Sequence, residues 1–470
     1  MSSKPEVSVI IINYNGREYL PTCLSALEKL AFPKTKYEVI VVDNNSQDNS
    51  VVYIKKNFPE VTVIQSQENL GFARGNNVGV HHARGKYVVF LNTDTQVRPD
   101  WLAPLVKRAQ SDPQIGAVNS KLLLYYPFVP LIIESDVHAK SSFVNSLEFH
   151  EVGVVIDEVV HSNFSLQSMI HYYDGFIAER KNGLLLQRWT TNKAVILIPV
   201  HPQKVEECSI TIRTQKLHSH LRTKVKISLG NQVQYEQVLD DHQVEQYTLK
   251  LDAQQLQPEL QYAVQNAGNI IFKTGHSRDR GAVVGNSQQL YELDNPFYAQ
   301  VREISAFCGA SALMRKSVFT KMGGFDESFF MYYEDVDLSL RLRLAGYKLI
   351  FEPKSQVAHI HAGSSGEWSP FFIYHVEKNH LAICVIYTSL SNIIREASHF
   401  SAMLALSAIK MWRWRITEHW SIYEDWKEKY SIRKQALQWV VRQLPYFIDR
   451  RRALASKYPQ TWRSLYETFY

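Results

Sequence analysis

Cysteine is scarce in this chain. Its four cysteines among 470 residues, Cys23, Cys208, Cys308 and Cys384, are scattered without a paired metal-ligand spacing. That pattern argues against a disulfide framework and a cysteine-rich zinc site, and fits a reducing cytoplasm. Long apolar runs are missing as well. The nearest, Ser401 to Ile409, is far shorter than the roughly 18 residues of a membrane span, so the chain is not expected to cross a bilayer by itself. Met1 to Val7 has no apolar core of the length a secretory signal needs, and export is not expected. With 45% hydrophobic and 21% charged residues the chain is globular, and its length suggests about two or three domains. The net charge of +6 is unevenly placed: residues 395 to 470 carry 14 Lys plus Arg against 7 Asp plus Glu, or +7, which leaves the remainder near −1 (6 minus 7).

Phe325 to Tyr347 sets carboxylates between an aromatic run and an amphipathic segment. Val336, Leu340 and Leu344 recur every four residues, which is one helical face, and Gly346 reads as its stop. Glu334, Asp335 and Asp337 fall in the first turn, where free amides and the helix dipole favour negative charge. A carboxylate there suits a catalytic base, but acids at a helix start are also ordinary stabilisers, and Asp337 with Arg341 makes a common i,i+4 pair.

The first 125 residues alternate β runs (Val7 to Ile12, Glu38 to Val42, Val61 to Ile64, Tyr87 to Leu91) with helical patterns such as Leu20, Leu24, Leu27 and Leu30. This argues for a parallel sheet of βα units. Polar clusters follow the strand ends at Asn13-Tyr-Asn-Gly16, Asp43-Asn-Asn-Ser46 and Asn92-Thr-Asp-Thr95. In such sheets ligands bind at the carboxyl ends of the strands, so the three clusters outline one pocket rim, although each alone is an ordinary Asx turn. Residues 126 to 264 alternate in the manner of an inserted β-sandwich, with runs at 194–200, 209–213, 224–229 and 246–251. The α/β texture returns with strands expected at Ser305 to Met314 and Tyr347 to Phe351. After His380 the pattern is helical and holds six of the nine tryptophans beside the basic residues. That mixture suits a lipid headgroup region, or a helical cap with tryptophan in its core.

Taken in order, Val9-Ile-Ile-Ile-Asn-Tyr-Asn-Gly16, Val41-Val-Asp-Asn-Asn-Ser46, Asn69-Leu-Gly-Phe-Ala-Arg-Gly-Asn-Asn77, Phe90-Leu-Asn-Thr-Asp-Thr95, Cys308-Gly-Ala310, Gly323-Gly-Phe-Asp-Glu-Ser-Phe-Phe330 and Tyr333-Glu-Asp-Val-Asp-Leu338 resemble glycosyltransferase family 2, and most of all its rhamnosyltransferase-like branch. The resemblance covers roughly residues 5 to 125 and 265 to 385. It implies a GT-A, Rossmann-like α/β catalytic domain in two parts, 1–125 binding the nucleotide sugar and 265–385 the acceptor. A β-sandwich over 126–264 would split it, and an amphipathic helical region would follow over 386–470.

The implied activity is inverting transfer of one hexosyl or rhamnosyl unit from a UDP or dTDP sugar to a glycan acceptor, expected to be lipid-linked, in surface polysaccharide biosynthesis, with no nucleic-acid partner and with peripheral contact at the inner membrane face. By resemblance, Asp43 would bond the base, and Asn13, Asn15, Asn69, Gly71, Arg74, Asn76, Asn92 and Asp94 would line the donor pocket, with Arg74 meeting a phosphate or an acidic wall. Asp94 and His359 would hold Mg²⁺ or Mn²⁺. Asn92 stands where the family usually has the first of two metal-motif acids. Asp335 would be the base with Glu334 in support, and Cys308, Gly309 and Lys378 would face the acceptor. Lys378 replaces an arginine common in relatives and loses its fork. A non-catalytic carbohydrate-binding protein and a sugar nucleotidyltransferase are the competing readings. Asn13 to Arg17 is not the Gly-rich phosphate loop of the latter, and a processive synthase lacks its Gln-x-x-Arg-Trp motif here.

Overall fold

The computed structural model describes residues 4–141, 149–181, 184–214, 222–240, 243–283, 290–360, 369–417 and 420–469. The chain forms two compact units: Met1–Tyr125, Val264–Val283 and Asn295–Tyr470 make the first, and Tyr126–Ala263 with Val284–Asp294 the second.

The first unit is built on a ten-stranded sheet. Four strands alternate with helices at its start: β1 (Val7–Asn13), α1 (Leu20–Glu28), β2 (Tyr37–Asp43), α2 (Ser50–Asn57), β3 (Thr62–Gln65), α3 (Gly71–His82) and β4 (Tyr87–Asn92). β5 (Thr95–Val97), α4 (Leu102–Ser111) and β6 (Ile115–Leu124) follow, with all ten residues of β6 buried. The sheet is completed by β7 (Val264–Asn266), β10 (Arg302–Glu303), β11 (Ser311–Arg315) and β12 (Lys348–His359), while β8 (Asn269–Ile271) and β9 (Ser277–Asp279) make a separate hairpin. The order is β10-β12-β6-β11-β4-β1-β2-β3, with β7 on β6 and β5 on β12.

β1 runs parallel to both β2 and β4, and their unbroken Val and Ile runs are buried, as strands covered on both faces must be. The register sets Asn13 beside Asp43 and Ile12 beside Asn92, so three carboxyl ends emerge together. These elements make the Rossmann-like α/β sheet expected from the sequence.

Five helices complete the unit: α5 (Glu334–Leu344), α6 (Pro370–Tyr387), α7 (Leu390–Ile416), α8 (Trp420–Lys457) and α9 (Pro459–Leu465). Gly346, at φ +81°, ends α5, and Tyr347 N–H returns to the Leu342 carbonyl in a Schellman closure. The C-terminal helices are not a separate layer. Phe447, Leu454, Leu465 and Phe469 join Val336, Leu340 and Leu344 in one core, with Trp439 and Trp462 packed against it. Among the described residues no helix is long and apolar enough to cross a membrane.

Two expectations shift. Only Ser311–Arg315 of the span Ser305 to Met314 is strand, because the chain bends at Cys308-Gly309 to reach α5. In the second unit the main strands pair as one eight-stranded sheet rather than two separate ones, with a continuous apolar cluster that includes Leu131, Ile156, Ile196, Ile210, Ile227 and Leu249.

Candidate active site

At the ends of β1 and β2, Asn13 and Asp43 are buried side by side. The Asn13 amide donates to Asp43 Oδ1 at 2.8 Å and to Ser46 Oγ at 3.0 Å, and Ser46 N–H donates to Asp43 Oδ2 at 3.0 Å. Asn15, at φ +50°, accepts from Gln47 N–H at 2.7 Å. Both turns are thus cross-braced into one fixed rim. At the head of α3, Asn69 accepts from Gly71 N–H at 2.9 Å, and buried Asn76 donates to the Phe72 carbonyl. Gly71 sits at φ +69°, where a Cβ would lie 2.6 Å from the Phe330 carbonyl oxygen.

Pairing of β5 with β12 sets His359 opposite Thr95 and brings it to Asp94. His359 Nε2 lies 3.1 Å from Asp94 Oδ1 and 3.4 Å from Asn92 Nδ2, while Nδ1 lies 2.7 Å from Gln265 Oε1. An imidazole nitrogen beside a buried carboxylate is a donor pair that fits a divalent ion.

Asp335 stands one residue inside the start of α5. Its Oδ2 accepts from Gly309 N–H at 2.9 Å and its Oδ1 from Val336 N–H at 2.7 Å. Burial, together with the negative charge of Asp279, outweighs these bonds and raises the carboxyl to about 6. Burial, then the negative charge of neighbouring Asp335, pushes Glu334 well above the usual carboxylate range.

The loop before α5 is strained. Phe330 has φ 65° and ψ −61°, and Met331 N–H bonds to the Phe329 carbonyl at 2.8 Å, which is the rare γ-turn; Tyr332 and Tyr333 also have positive φ. It is held from two sides. Phe72 and Ala73 N–H at the head of α3 donate to the Phe330 carbonyl at 2.7 and 3.0 Å, and the Asn379 amide of α6 donates to the carbonyls of Phe329, Met331 and Tyr332 at 2.7 to 3.0 Å.

Below α5, fully buried Asp337 is the centre of a knot. It accepts from Arg341 Nη2 at 2.7 Å, Tyr387 Oη at 2.7 Å and Arg450 Nη2 at 2.8 Å. A C-terminal arginine thus locks the helix that carries Asp335.

Of the two contacts expected for Arg74 the structure has the acidic one: it is exposed, pairs with Glu68 at 2.8 Å and Glu327 at 3.8 Å, and lines an open groove of about 490 Å³ with Val42, Ile64 and Leu70 that Asp43, Asp94 and His359 do not line. The contacts expected of Lys378, Cys308 and Gly309 are corrected. Lys378 does not face an acceptor. It is buried under the 327–333 loop, with Nζ 3.3 Å from the Phe329 carbonyl and 3.9 Å above the Trp439 ring, and burial lowers it to about 7. Cys308 and Gly309 use their N–H groups internally, Cys308 on Asn119 Oδ1 and Gly309 on Asp335. His361, two residues beyond His359, lies outside the described residues.

Sequence reasoning missed Gln265, Asn266, Asp279 and Asn379. Asn266 donates to Asp279 Oδ1 at 2.8 Å and Tyr333 Oη accepts from Ser277 N–H at 3.3 Å, so β7 to β9 support both His359 and the loop. Only their polarity just beyond the β insertion was visible in advance.

The structure is of the open α/β class, with a polar, acid-lined rim at the strand ends where such sheets place their ligands. Residues 8–121 match the model for glycosyl transferase family 2, and residues 238–421 that for glycosyl transferase family group 2. The glycosyltransferase AglE of Haloferax volcanii is 35% identical over 104 residues, 22% of this chain and 34% of that protein. The N-acetylglucosaminyl-diphospho-decaprenol L-rhamnosyltransferase of Mycobacterium tuberculosis is 45% identical over 65 residues, 14% of this chain and 21% of that protein. The matched stretches thus span a third or less of these relatives. Among solved structures, GalNAc-T7 with UDP, GalNAc and Mn²⁺ aligns over 97% of this chain and 58% of that one, at 13% identity and a TM-score of 0.43. The family and sequence matches thus show that residues 8–121 are similar to glycosyl transferase family 2 and residues 238–421 to glycosyl transferase family group 2.

Proposed function

We propose that this protein is an inverting glycosyltransferase that moves one sugar from a UDP or dTDP sugar to a glycan acceptor carried on a lipid, in surface polysaccharide assembly. The observation that carries the reading is Asp335, a carboxylate raised to about 6 and aimed by the Gly309 amide. A base poised there is ionised at neutral pH yet holds a proton well enough to take one. Asp335 accepts the acceptor hydroxyl proton as that oxygen bonds to the anomeric carbon. The bond from that carbon to the diphosphate oxygen breaks on the opposite face and leaves with its electron pair, so configuration inverts. Asp43 and Asn13 receive the base of the nucleotide, where a carboxylate facing an imide N–H favours uracil or thymine. Asp94 and His359 hold Mg²⁺ or Mn²⁺, which when bound neutralises charge on the departing diphosphate. The printed name of the mycobacterial relative, whose substrate is a diphospho-decaprenol, supports a lipid-linked acceptor.

Contact with the inner membrane face is part of this reading. Along α7, Leu390, Ile394, Leu406, Ile409, Trp412 and Ile416 are each more than half exposed. Lys410, Arg413 and Arg415 lie among them, a combination that suits an anionic lipid surface.

The test is a thermal-shift series with UDP, dTDP, GDP and their sugars, with and without Mn²⁺. UDP or dTDP compounds should raise the melting temperature, and more so with metal, because a ligand of the native state stabilises it. The metal increment should vanish in an Asp94→Asn, His359→Ala variant. No response to any nucleotide would shift the reading to a non-catalytic carbohydrate-binding protein.

A further inference from the structure

Apart from Asp94 and His359, a second group of metal-competent side chains stands where the β8–β9 hairpin meets α6 and α7. His276 lies in the hairpin turn, His380 on α6 and Glu396 on α7, and one ligand atom from each lies within 4.8 Å of the others. The two imidazoles are stacked with centroids 3.6 Å apart. Cys384, one turn beyond His380, places its Sγ 3.3 Å from His380 Nε2. The turn is pressed onto this spot: a Cβ on Gly275 would lie 2.7 Å from Cys384 Sγ.

We propose that His276, His380 and Glu396 bind a zinc ion, with Cys384 as a fourth ligand, and that this site ties the β8–β9 hairpin to α6 and α7. Two nitrogens, a carboxylate oxygen and a thiolate are the donor types of a closed structural zinc site, and the thiolate disfavours Mg²⁺ or Ca²⁺. Before metal enters, the His380 ring and the Cys384 thiol both bond the Thr274 carbonyl, at 3.0 and 3.1 Å, and Glu396 pairs with Arg395 at 3.2 Å. Zinc would replace those contacts, with the Cys384 thiol proton released to water as sulfur binds the metal. The hairpin held in this way carries Asp279, whose charge acts on Asp335, so the site braces one wall of the active site from behind. Cysteine spacing gave no hint of it because its donors come from three distant segments. The inference does not rest on the proposed transfer reaction.

The test uses the full chain, stripped with EDTA, re-equilibrated with zinc sulfate alone, desalted and assayed for metal by mass spectrometry and for melting temperature. One zinc per chain should be retained, with a melting temperature several degrees above the stripped form. An Asp94→Asn, His359→Ala variant should keep this zinc, whereas His276→Ala and Glu396→Gln should lose it. His276 is exposed, so its alanine variant leaves no buried cavity. Cobalt(II) in place of zinc should give a tetrahedral visible spectrum with a sulfur charge-transfer band that Cys384→Ser removes. Failure to retain zinc, equal retention by His276→Ala, or retention that depends on Asp94 and His359 would overturn the site. A cobalt spectrum without the sulfur band would overturn Cys384 as ligand.

Discussion

Changing Asp335 to asparagine keeps the side-chain shape and an oxygen that can accept from Gly309 N–H, but removes the group that takes the proton. General-base catalysis contributes typically 10² to 10⁴ in rate, so turnover should fall by that factor, about 3 to 5 kcal/mol in the barrier. In the native chain a carboxyl at about 6 makes kcat/KM drop about tenfold between pH 7 and pH 5 and level off above pH 7, and the variant's residual activity should lack this limb. Stability gives an independent control. The folded value of Asp335 is raised from 3.8 to about 6, so its contribution is fully favourable below the unfolded value and is lost as the pH rises through the folded one. At pH 8 the ionised group is therefore a liability, and Asp335→Asn should melt no lower than the native protein. The assay is release of nucleoside diphosphate, run beside nucleotide binding, which should be unchanged. A variant that keeps more than a tenth of native turnover, or keeps the pH limb, would refute Asp335 as the base.

Three further outcomes follow from the packing. Asp337→Ala leaves Arg341 and Arg450 buried without their shared anion and should cost about 3 to 5 kcal/mol in urea unfolding; a loss below 1 kcal/mol would mean the knot is not a structural lock. Gly71→Ala forces a side chain against the Phe330 carbonyl at positive φ, which should cost about 1 to 3 kcal/mol and lower kcat by displacing the γ-turn; native kcat and melting would exclude that coupling. Ile409→Glu with Trp412→Glu should weaken binding to phosphatidylserine vesicles, and Arg413→Gln with Arg415→Gln should reduce its salt sensitivity. Point changes are preferable to removing residues 395–470, because α8 and α9 are part of the core around α5. Vesicle binding indifferent to both pairs would dismiss α7 as the docking face.

The strand-end cluster was legible in the sequence because βα alternation fixes which end of each strand faces the rim, and Asn13, Asp43, Asn92 and Asp94 follow directly from it. Asp335 was legible from its place after an aromatic run and before a clean helical period. The β7 to β9 segment was not. Its strands are three residues long, too short for any alternation to register, and Gln265, Asn266 and Asp279 matter only through partners far away in the chain. The γ-turn at Phe330 left no mark either, since nothing in Phe-Phe-Met-Tyr-Tyr announces a positive φ. In the tail, the same mixture of tryptophan and arginine serves two ends: Trp439 and Trp462 pack inward, whereas Trp412 and Trp420 point outward. Composition alone does not separate those roles.

The chain leaves the first unit's sheet at the end of β6 and returns on β7, and in the register of that pair Leu123 lies opposite Val264. The whole stretch from Tyr126 to Ala263 therefore departs and re-enters at neighbouring points of one ladder. Such a detour asks nothing of the sheet beyond closing a gap that an ordinary hairpin spans, and loop-closure cost grows only slowly with length. The chain then visits the second unit once more at Val284–Asp294, so a short turn joining β6 to β7, or a foreign module with adjacent termini, is a clean exchange only if this second visit is replaced as well.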